Sequence, residues 1–76
     1  SIFDGIPTHL PALLYALKVA KKAGTLGVEP DPGDQTVGGQ LLALVASARQ
    51  ADGDVDPETD LRAAASRLRD RAKAVE

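Results

Sequence analysis

Three aspartates at alternating positions, Asp52, Asp54 and Asp56, have the spacing that opens a calcium-binding loop of the EF-hand type. Such a loop also needs glycine at its sixth position, for a sharp turn, and glutamate at its twelfth, to bind calcium through both oxygens. Counted from Asp52, these positions hold Pro57 and Ala63. The calcium hypothesis fails on both, and the acids predict a solvated loop that ends in a helix cap.

A second acidic segment contains Glu29, Asp31 and Asp34, which are weak candidate ligands for Mg²⁺ because magnesium is commonly held by one or two carboxylates and its own waters. A solvated connector is the commoner explanation of such a segment. His9 is the single histidine and cysteine is absent, which excludes thiolate zinc sites and disfavours Ser-His or Cys-His hydrolase chemistry. We expect His9 at the surface or at a helix start, and we assign no catalytic residue.

Four basic residues are weak candidates for phosphate binding. Lys18 and Lys22 lie one helical turn apart, and Arg67 and Arg71 share the same spacing near the end of the chain. Arginine in particular matches the geometry of oxyanions. A solvated helix face is the commoner explanation of both pairs.

The composition indicates one small globular domain. The 76 residues are 43% hydrophobic and 26% charged, with a net charge of −2, which argues against nucleic acid as a partner. No apolar run is long enough to cross a membrane and no signal peptide is recognisable, so we expect a cytoplasmic protein. A core of this size rarely supplies more than about 3–5 kcal/mol. We therefore expect association, either with a second copy or with a neighbouring domain of a longer chain.

The hydrophobic periodicity predicts an all-α unit without strands. Three helices are expected over residues 9–24, 35–51 and 57–75. Residues 1–8 are predicted to form an extended lead-in, and residues 28–34 an acidic connector rich in proline. The whole chain is thus one domain of three helices, expected to complete its core by oligomerising.

The sequence patterns that indicate helix ends differ in strength from one predicted helix to the next. Asp56 followed by Pro57 is a strong helix start, since the carboxylate caps the first turn and proline fits the first helical position. Pro11 is expected to be tolerated within the first turn of the first helix, which Gly24 or Gly27 should end.

The second predicted helix has apolar residues on more than one face, which predicts a central helix with two partners. Gly38 and Gly39 should each weaken its first turns by about 1 kcal/mol relative to alanine. They could also allow another backbone to approach closely.

Several segments together resemble the catalytic domain of MazG-type nucleoside triphosphate pyrophosphohydrolases. The resemblance covers nearly the whole chain in the family's order. It includes Gly5-Ile6-Pro7 and Leu10, and its most specific parts are Pro11-Ala12-Leu13-Leu14 and Val55-Asp56-Pro57-Glu58. The resemblance implies an all-α, magnesium-dependent enzyme that splits nucleoside triphosphates into monophosphate and pyrophosphate. It also implies helical units that assemble as dimers or larger oligomers, in which Lys18, Lys22, Arg67 and Arg71 match positive positions.

The metal ligands of that family are missing from this chain. Family members use paired carboxylates spaced Glu-x-x-Glu and Glu-x-x-Asp, which share a helix face and hold magnesium against the phosphates. The helix that carries the first pair would lie between Val28 and Val37, where only a proline-containing connector is present. Gln35, Thr36 and Gly39 stand where the second set of acids is expected.

The resemblance with these departures predicts a degenerate MazG-like domain that has lost catalysis, needs no cofactor, and serves packing or oligomerisation. One alternative is an active pyrophosphohydrolase that binds Mg²⁺ through Glu29, Asp31 and Asp34. In both cases a nucleotide is a conceivable ligand. A further alternative is an unrelated helical adaptor, and a DNA-binding helix-turn-helix is disfavoured by the acidic charge.

Overall fold

The computed structural model describes the backbone of residues 1–52 and 55–76 and the side chains of residues 1–49 and 55–76. It contains three helices, α1 (Ala12–Thr25), α2 (Val37–Asp52) and α3 (Pro57–Lys73). No strand occurs in the described ranges. The prediction of an all-α unit with three helices is therefore confirmed.

Helix α1 begins later than the sequence analysis predicts. Pro11 has a non-helical backbone, with φ −51° and ψ 143°, and its carbonyl accepts the first bond of the helix from the backbone N–H of Tyr15 at 2.9 Å. Proline also disfavours helical geometry in the preceding residue, Leu10. The expected start at residue 9 is consequently wrong, and His9 lies in an exposed turn before the helix.

The first residues form turns, whereas the sequence analysis predicts an extended segment. Backbone N–H groups of Asp4 and Ile6 donate to the carbonyls of Ser1 and Phe3 at 3.2 and 3.1 Å. The terminal amine of Ser1 also pairs with the Asp4 carboxylate at 2.9 Å. Within these turns Ile6 is buried, and it borders a depression shared with Lys18 and Lys22 of α1.

Gly27 ends helix α1. Its φ of +74° lies in the left-handed region that glycine adopts without steric cost. The N–H groups of Gly27 and Val28 donate to the carbonyls of Gly24 and Ala23 at 3.1 and 3.0 Å, which is the Schellman arrangement. Of the two glycines considered, Gly27 is the terminator, and Gly24 belongs to the helix.

Thr36 caps helix α2. Its hydroxyl oxygen accepts a hydrogen bond from the backbone N–H of Gly39 at 2.9 Å, and its carbonyl accepts from Gln40 at 3.0 Å. Because Thr36 is the capping residue, the regular helix begins at Val37, two residues after the expected start at 35.

Asp56 caps helix α3, as predicted. Its carboxylate accepts hydrogen bonds from the backbone N–H of Thr59 at 3.1 Å and from the Thr59 hydroxyl at 2.7 Å. Pro57 occupies the first helical position. The helix ends at Lys73, two residues before the expected end at 75. The last residues form a tighter turn, in which the N–H of Val75 donates to the carbonyl of Ala72 at 3.1 Å.

The buried core is small and centres on α1. Helix α1 packs against both α2 and α3, whereas α2 and α3 make few contacts with each other. The central helix is thus α1, and the expectation that α2 is central is wrong. The buried apolar residues of the described chain are Ile6, Leu17, Ala20, Val45 and Ala46.

The chain is elongated and exposes much surface for its size. Its principal extents are 50 × 27 × 23 Å and its radius of gyration is 14.6 Å, against about 11 Å for a compact chain of this length. The accessible surface is 5723 Å², whereas a folded monomer of 7.9 kDa typically exposes roughly 4,400 Å². The three helices leave about 1,300 Å² that a compact domain of this mass would bury.

Candidate functional site

An apolar groove of about 460 Å³ runs between α2 and α3, and we call it the α2–α3 groove. Leu13 of α1 contributes to its floor, because α1 contacts both of the other helices while these stand apart. Asp60 and Arg67 supply the charged groups of its lining. The main apolar residues that line it are Leu13, Leu41, Leu44, Val45, Val55 and Leu61.

Leucine side chains that face the groove remain accessible to solvent. Leu44 is 66% exposed and Leu61 is 52% exposed, although both line the groove. No described residue covers them. Single exposed leucines are ordinary, but exposed leucines that line one continuous apolar groove are typical of an interaction surface.

Helix α3 carries a second uncovered apolar feature, which continues from the groove. Leu61, Ala65, Leu68 and Ala72 are spaced by four, three and four residues, so they form one line along the helix, here called the α3 stripe. Leu68 is 61% exposed. None of the α3 residues is buried, and all of them belong to the described part of the chain. The distal part of α3, residues 67–73, is exposed throughout.

Two of the three candidate magnesium ligands, Asp31 and Asp34, serve local loop geometry. The Asp31 carboxylate accepts a bond from the backbone N–H of Gly33 at 2.8 Å. Asp34 accepts from the hydroxyl and the N–H of Thr36 at 2.6 and 3.0 Å, and these bonds lower the pKa of Asp34, the hydroxyl bond most. Glu29 is exposed. Among the described side chains, no three acidic or histidine groups gather as a metal ligand set, so these three carboxylates are not brought together.

The four candidate phosphate ligands lie in different places. Lys18 and Lys22 border a depression of about 310 Å³ against the N-terminal turns, together with Lys21. Arg67 lines the α2–α3 groove, and Arg71 is exposed on the distal part of α3. Lys21 was not among the candidates, although its spacing of three from Lys18 places it on the same side of the helix.

The three aspartates with calcium-loop spacing, for which the sequence predicts a solvated loop, lie only partly within the described residues. Asp54 and the side chain of Asp52 lie outside those residues. Asp56 is the cap of α3, and its pKa is lowered first by the backbone N–H of Thr59 and then by the Thr59 hydroxyl. Its carboxylate has the capping function that the sequence predicts.

Arg49 is a contact that the sequence analysis missed. Its guanidinium lies over Gly24 of α1, where a Cβ atom would come within 2.8 Å of Nη2. The Nε atom is buried and has no hydrogen-bond partner among the described residues. Gly24 therefore makes room for an arginine of the neighbouring helix, and an isolated glycine within a helical pattern was the available signal.

The fold and the groove define a small all-α domain with an uncovered apolar surface. Over an alignment of 78 positions that spans the whole chain, it is 44% identical to the "Uncharacterized 26.1 kDa protein in blaB 3'region" of Streptomyces cacaoi. The chain covers 31% of that relative, so it spans about a third of the relative's length.

Comparisons with protein families and with solved structures gave no match. No protein-family profile matches the chain. No solved structure matches it significantly. In the described residues, no helix combines the length and the apolar character that crossing a bilayer requires.

Proposed function

We propose that this chain is a degenerate MazG-like domain, without catalysis of its own, that serves packing or oligomerisation. The observation that carries the proposal is the uncovered α2–α3 groove with its exposed leucines, Leu44 and Leu61. The family's units have one more helix than this chain, and a helix lost from such a unit leaves an apolar face behind. A partner segment that fills the groove would restore the missing layer of the core.

The surplus surface fits a role in packing. The chain exposes about 1,300 Å² more than a compact monomer of its mass, and a stable interface typically buries about 800 Å² on each partner. An interface of that size, with the α2–α3 groove at its centre, would remove a little more than half of the surplus. The core of the isolated unit is small, which makes such covering a large share of its stability.

The positions that would hold metal in the family have other uses here. Thr36 caps α2, and Gly39 lies under the carboxylate of Asp34, so an acidic side chain at position 39 would collide with Asp34. Both observations support the loss of the magnesium site, because catalysis in the family depends on that ion. No cofactor is required for the packing role.

Pyrophosphate release from a panel of nucleoside triphosphates, with and without Mg²⁺, tests the loss of catalysis. We expect no release above the protein-free background at any metal concentration. Release that requires the metal would contradict the proposal and favour the enzyme with rebuilt ligands. In that case Asp31→Asn with Asp34→Asn should abolish the metal dependence, and Asp4→Asn, in another acidic turn, is the matched control.

A pair of leucine variants tests the packing role. Leu44→Lys introduces a charge into the α2–α3 groove, whereas Leu26→Lys introduces the same charge at a comparably exposed leucine that does not line the groove. Sedimentation velocity should show that the parent chain and Leu26→Lys associate in the micromolar range and that Leu44→Lys is shifted towards the monomer. Equal association of the two variants would exclude the groove as the packing surface.

A further inference from the structure

The partner that the packing function requires can be specified from the charges of α3, whose apolar stripe starts at Leu61 in the wall of the α2–α3 groove. Resting on the proposed function, we infer that α3 of one copy packs antiparallel against α3 of a second copy, with Leu61 of each helix beside Leu68 of the other. The two copies are related by a two-fold axis near Ala64 and Ala65. The interface is then isologous, because each helix presents the same surface to the other.

The distal part of helix α3 has little cover from its own chain. This part, from Arg67 to Lys73, is exposed at every residue, and the molecule is 50 Å long in consequence of its open arrangement. Most of the stability of a helix in a protein comes from packing of its apolar face rather than from the helix itself, because nucleation is costly. A helix of this length and exposure gains stability when a neighbour covers its apolar line.

The α3 stripe suits contact between two helices. Leu61 and Leu68 are separated by Ala65, and Ala72 continues the line. Small side chains at the centre let two helix axes approach closely, while the leucines on either side supply the apolar area. A shallow depression of about 370 Å³ lies along this surface, bordered by Glu58 and Arg69 as well as by Leu61 and Ala65.

The charges along α3 are divided between its ends. Residues 56–60 contain three acids and no basic residue, whereas residues 67–73 contain four basic residues and one acid. Antiparallel packing against a second copy brings the acidic end of each helix beside the basic end of the other. Parallel packing would bring like charges together, so the charge pattern selects the antiparallel arrangement. The helix dipoles favour the same arrangement.

The register of the leucines also brings opposite charges together. Glu58 and Arg69 are eleven residues apart, close to three turns at about 3.6 residues per turn, so they flank the same side of the stripe. Asp60 and Arg71 have the same separation and flank the other side. With Leu61 beside Leu68 of the second copy, Glu58 lies near Arg69 of that copy and Asp60 near its Arg71. Arg69 pairs with Asp70 within its own chain at 3.1 Å, but such exposed pairs are weak and exchange readily.

A charge-exchange experiment on the 76-residue chain tests the inference. One variant carries Glu58→Lys and Asp60→Lys, so both ends of its α3 are basic. The other carries Arg69→Glu and Arg71→Glu, so both ends are acidic. We expect the parent chain to sediment at twice 7.9 kDa, each variant alone to be monomeric through repulsion, and an equimolar mixture to recover the dimer mass.

A matched control tests whether the loss of the dimer depends on the position of the reversed charges in α3. Lys21→Glu with Lys22→Glu changes the net charge as much as the arginine pair does, but on α1, and it should remain dimeric. Far-UV circular dichroism of every variant verifies that the helices are retained, and recovery of the dimer in the mixture itself shows that both variants fold.

The outcomes separate this inference from the function on which it rests. A dimer that is insensitive to both charge reversals, or a mixture that stays monomeric beside a dimeric parent chain, would overturn the α3 arrangement and leave the packing role. A monomeric parent chain would overturn both. In each of these cases an absence of pyrophosphate release from the same samples would leave the non-catalytic assignment intact. Metal-dependent release would overturn that assignment whatever mass is observed.

Discussion

Gly38 and Gly39 are neighbours in the first turn of α2, and replacing each by alanine should have different effects on stability. Both have helical backbones, which alanine adopts readily. A Cβ atom at Gly38 would meet only the Thr36 hydroxyl, at 3.9 Å. A Cβ atom at Gly39 would overlap the carboxylate of Asp34, coming within 2.6 Å of Oδ2, while Asp34 is held in place by its bonds to Thr36.

The expected magnitudes follow from these contacts. Alanine in place of glycine in a helix stabilises by about 0.5–1 kcal/mol, so Gly38→Ala should raise the free energy of unfolding by that amount. Gly39→Ala should give no gain or a net loss, because its Cβ displaces the carboxylate that bonds the α2 cap. In an Asp34→Ala background that obstacle is absent, and Gly39→Ala should then recover a gain of about 0.5–1 kcal/mol.

Urea unfolding followed by far-UV circular dichroism measures these differences. With a slope of about 1 kcal/mol per molar urea for a small domain, the Gly38→Ala midpoint should rise by about 0.5–1 M. All variants are compared at one protein concentration, since association adds to apparent stability. If Gly39→Ala stabilises the parent chain as much as Gly38→Ala does, the close packing of Asp34 on Gly39 does not exist in solution.

Three further predictions concern the core, the end of α1 and the caps. Gly27→Ala should lower the free energy of unfolding by about 1–2 kcal/mol in urea titrations, because φ is +74° there. Leu17→Ala, at a side chain that is 5% exposed, should lower it by about 2–5 kcal/mol, whereas the exposed Leu26→Ala should change it by less than about 0.5 kcal/mol. Threonine hydrogen bonds hold the pKa of Asp34 and Asp56 below the ordinary 3.8. Their contribution to stability is therefore complete above about pH 5 and is lost as the pH falls through the lowered native values, so the urea midpoint should drop below about pH 4. That acid-induced drop should be smaller when both are replaced by asparagine.

The helix ends show which structural features can be predicted from the sequence. The start of α3 was predicted to the residue, because the signal is a carboxylate and a proline adjacent in the chain. The sequence predicts the start of α1 less well, because proline is also tolerated inside a first turn, whereas Pro11 is the residue that precedes the helix. For α2 the cap is Thr36, and the Asp34 side chain that supports it also explains why Gly39 is glycine.

The candidate surface is harder to predict from the sequence than the helix ends are. Periodicity identified the apolar residues of α2, but it did not separate Val45, which is buried, from Leu44, which is exposed beside it. Gly24 signals an unusual position in α1, but the sequence does not identify Arg49 as its partner, since the contact joins two different helices. Each of these features depends on which helix faces meet.

The sequence by itself determined the three helices and the Asp56 cap of α3, since these depend on hydrogen bonds and side-chain spacing within a few residues. Only the tertiary structure decided that α1 is the central helix and that α2 and α3 stand apart to leave a groove between them. The physical reason is that the hydrophobic effect is non-directional. The sequence therefore indicates which residues favour burial, but not which of several similar apolar faces will pack together.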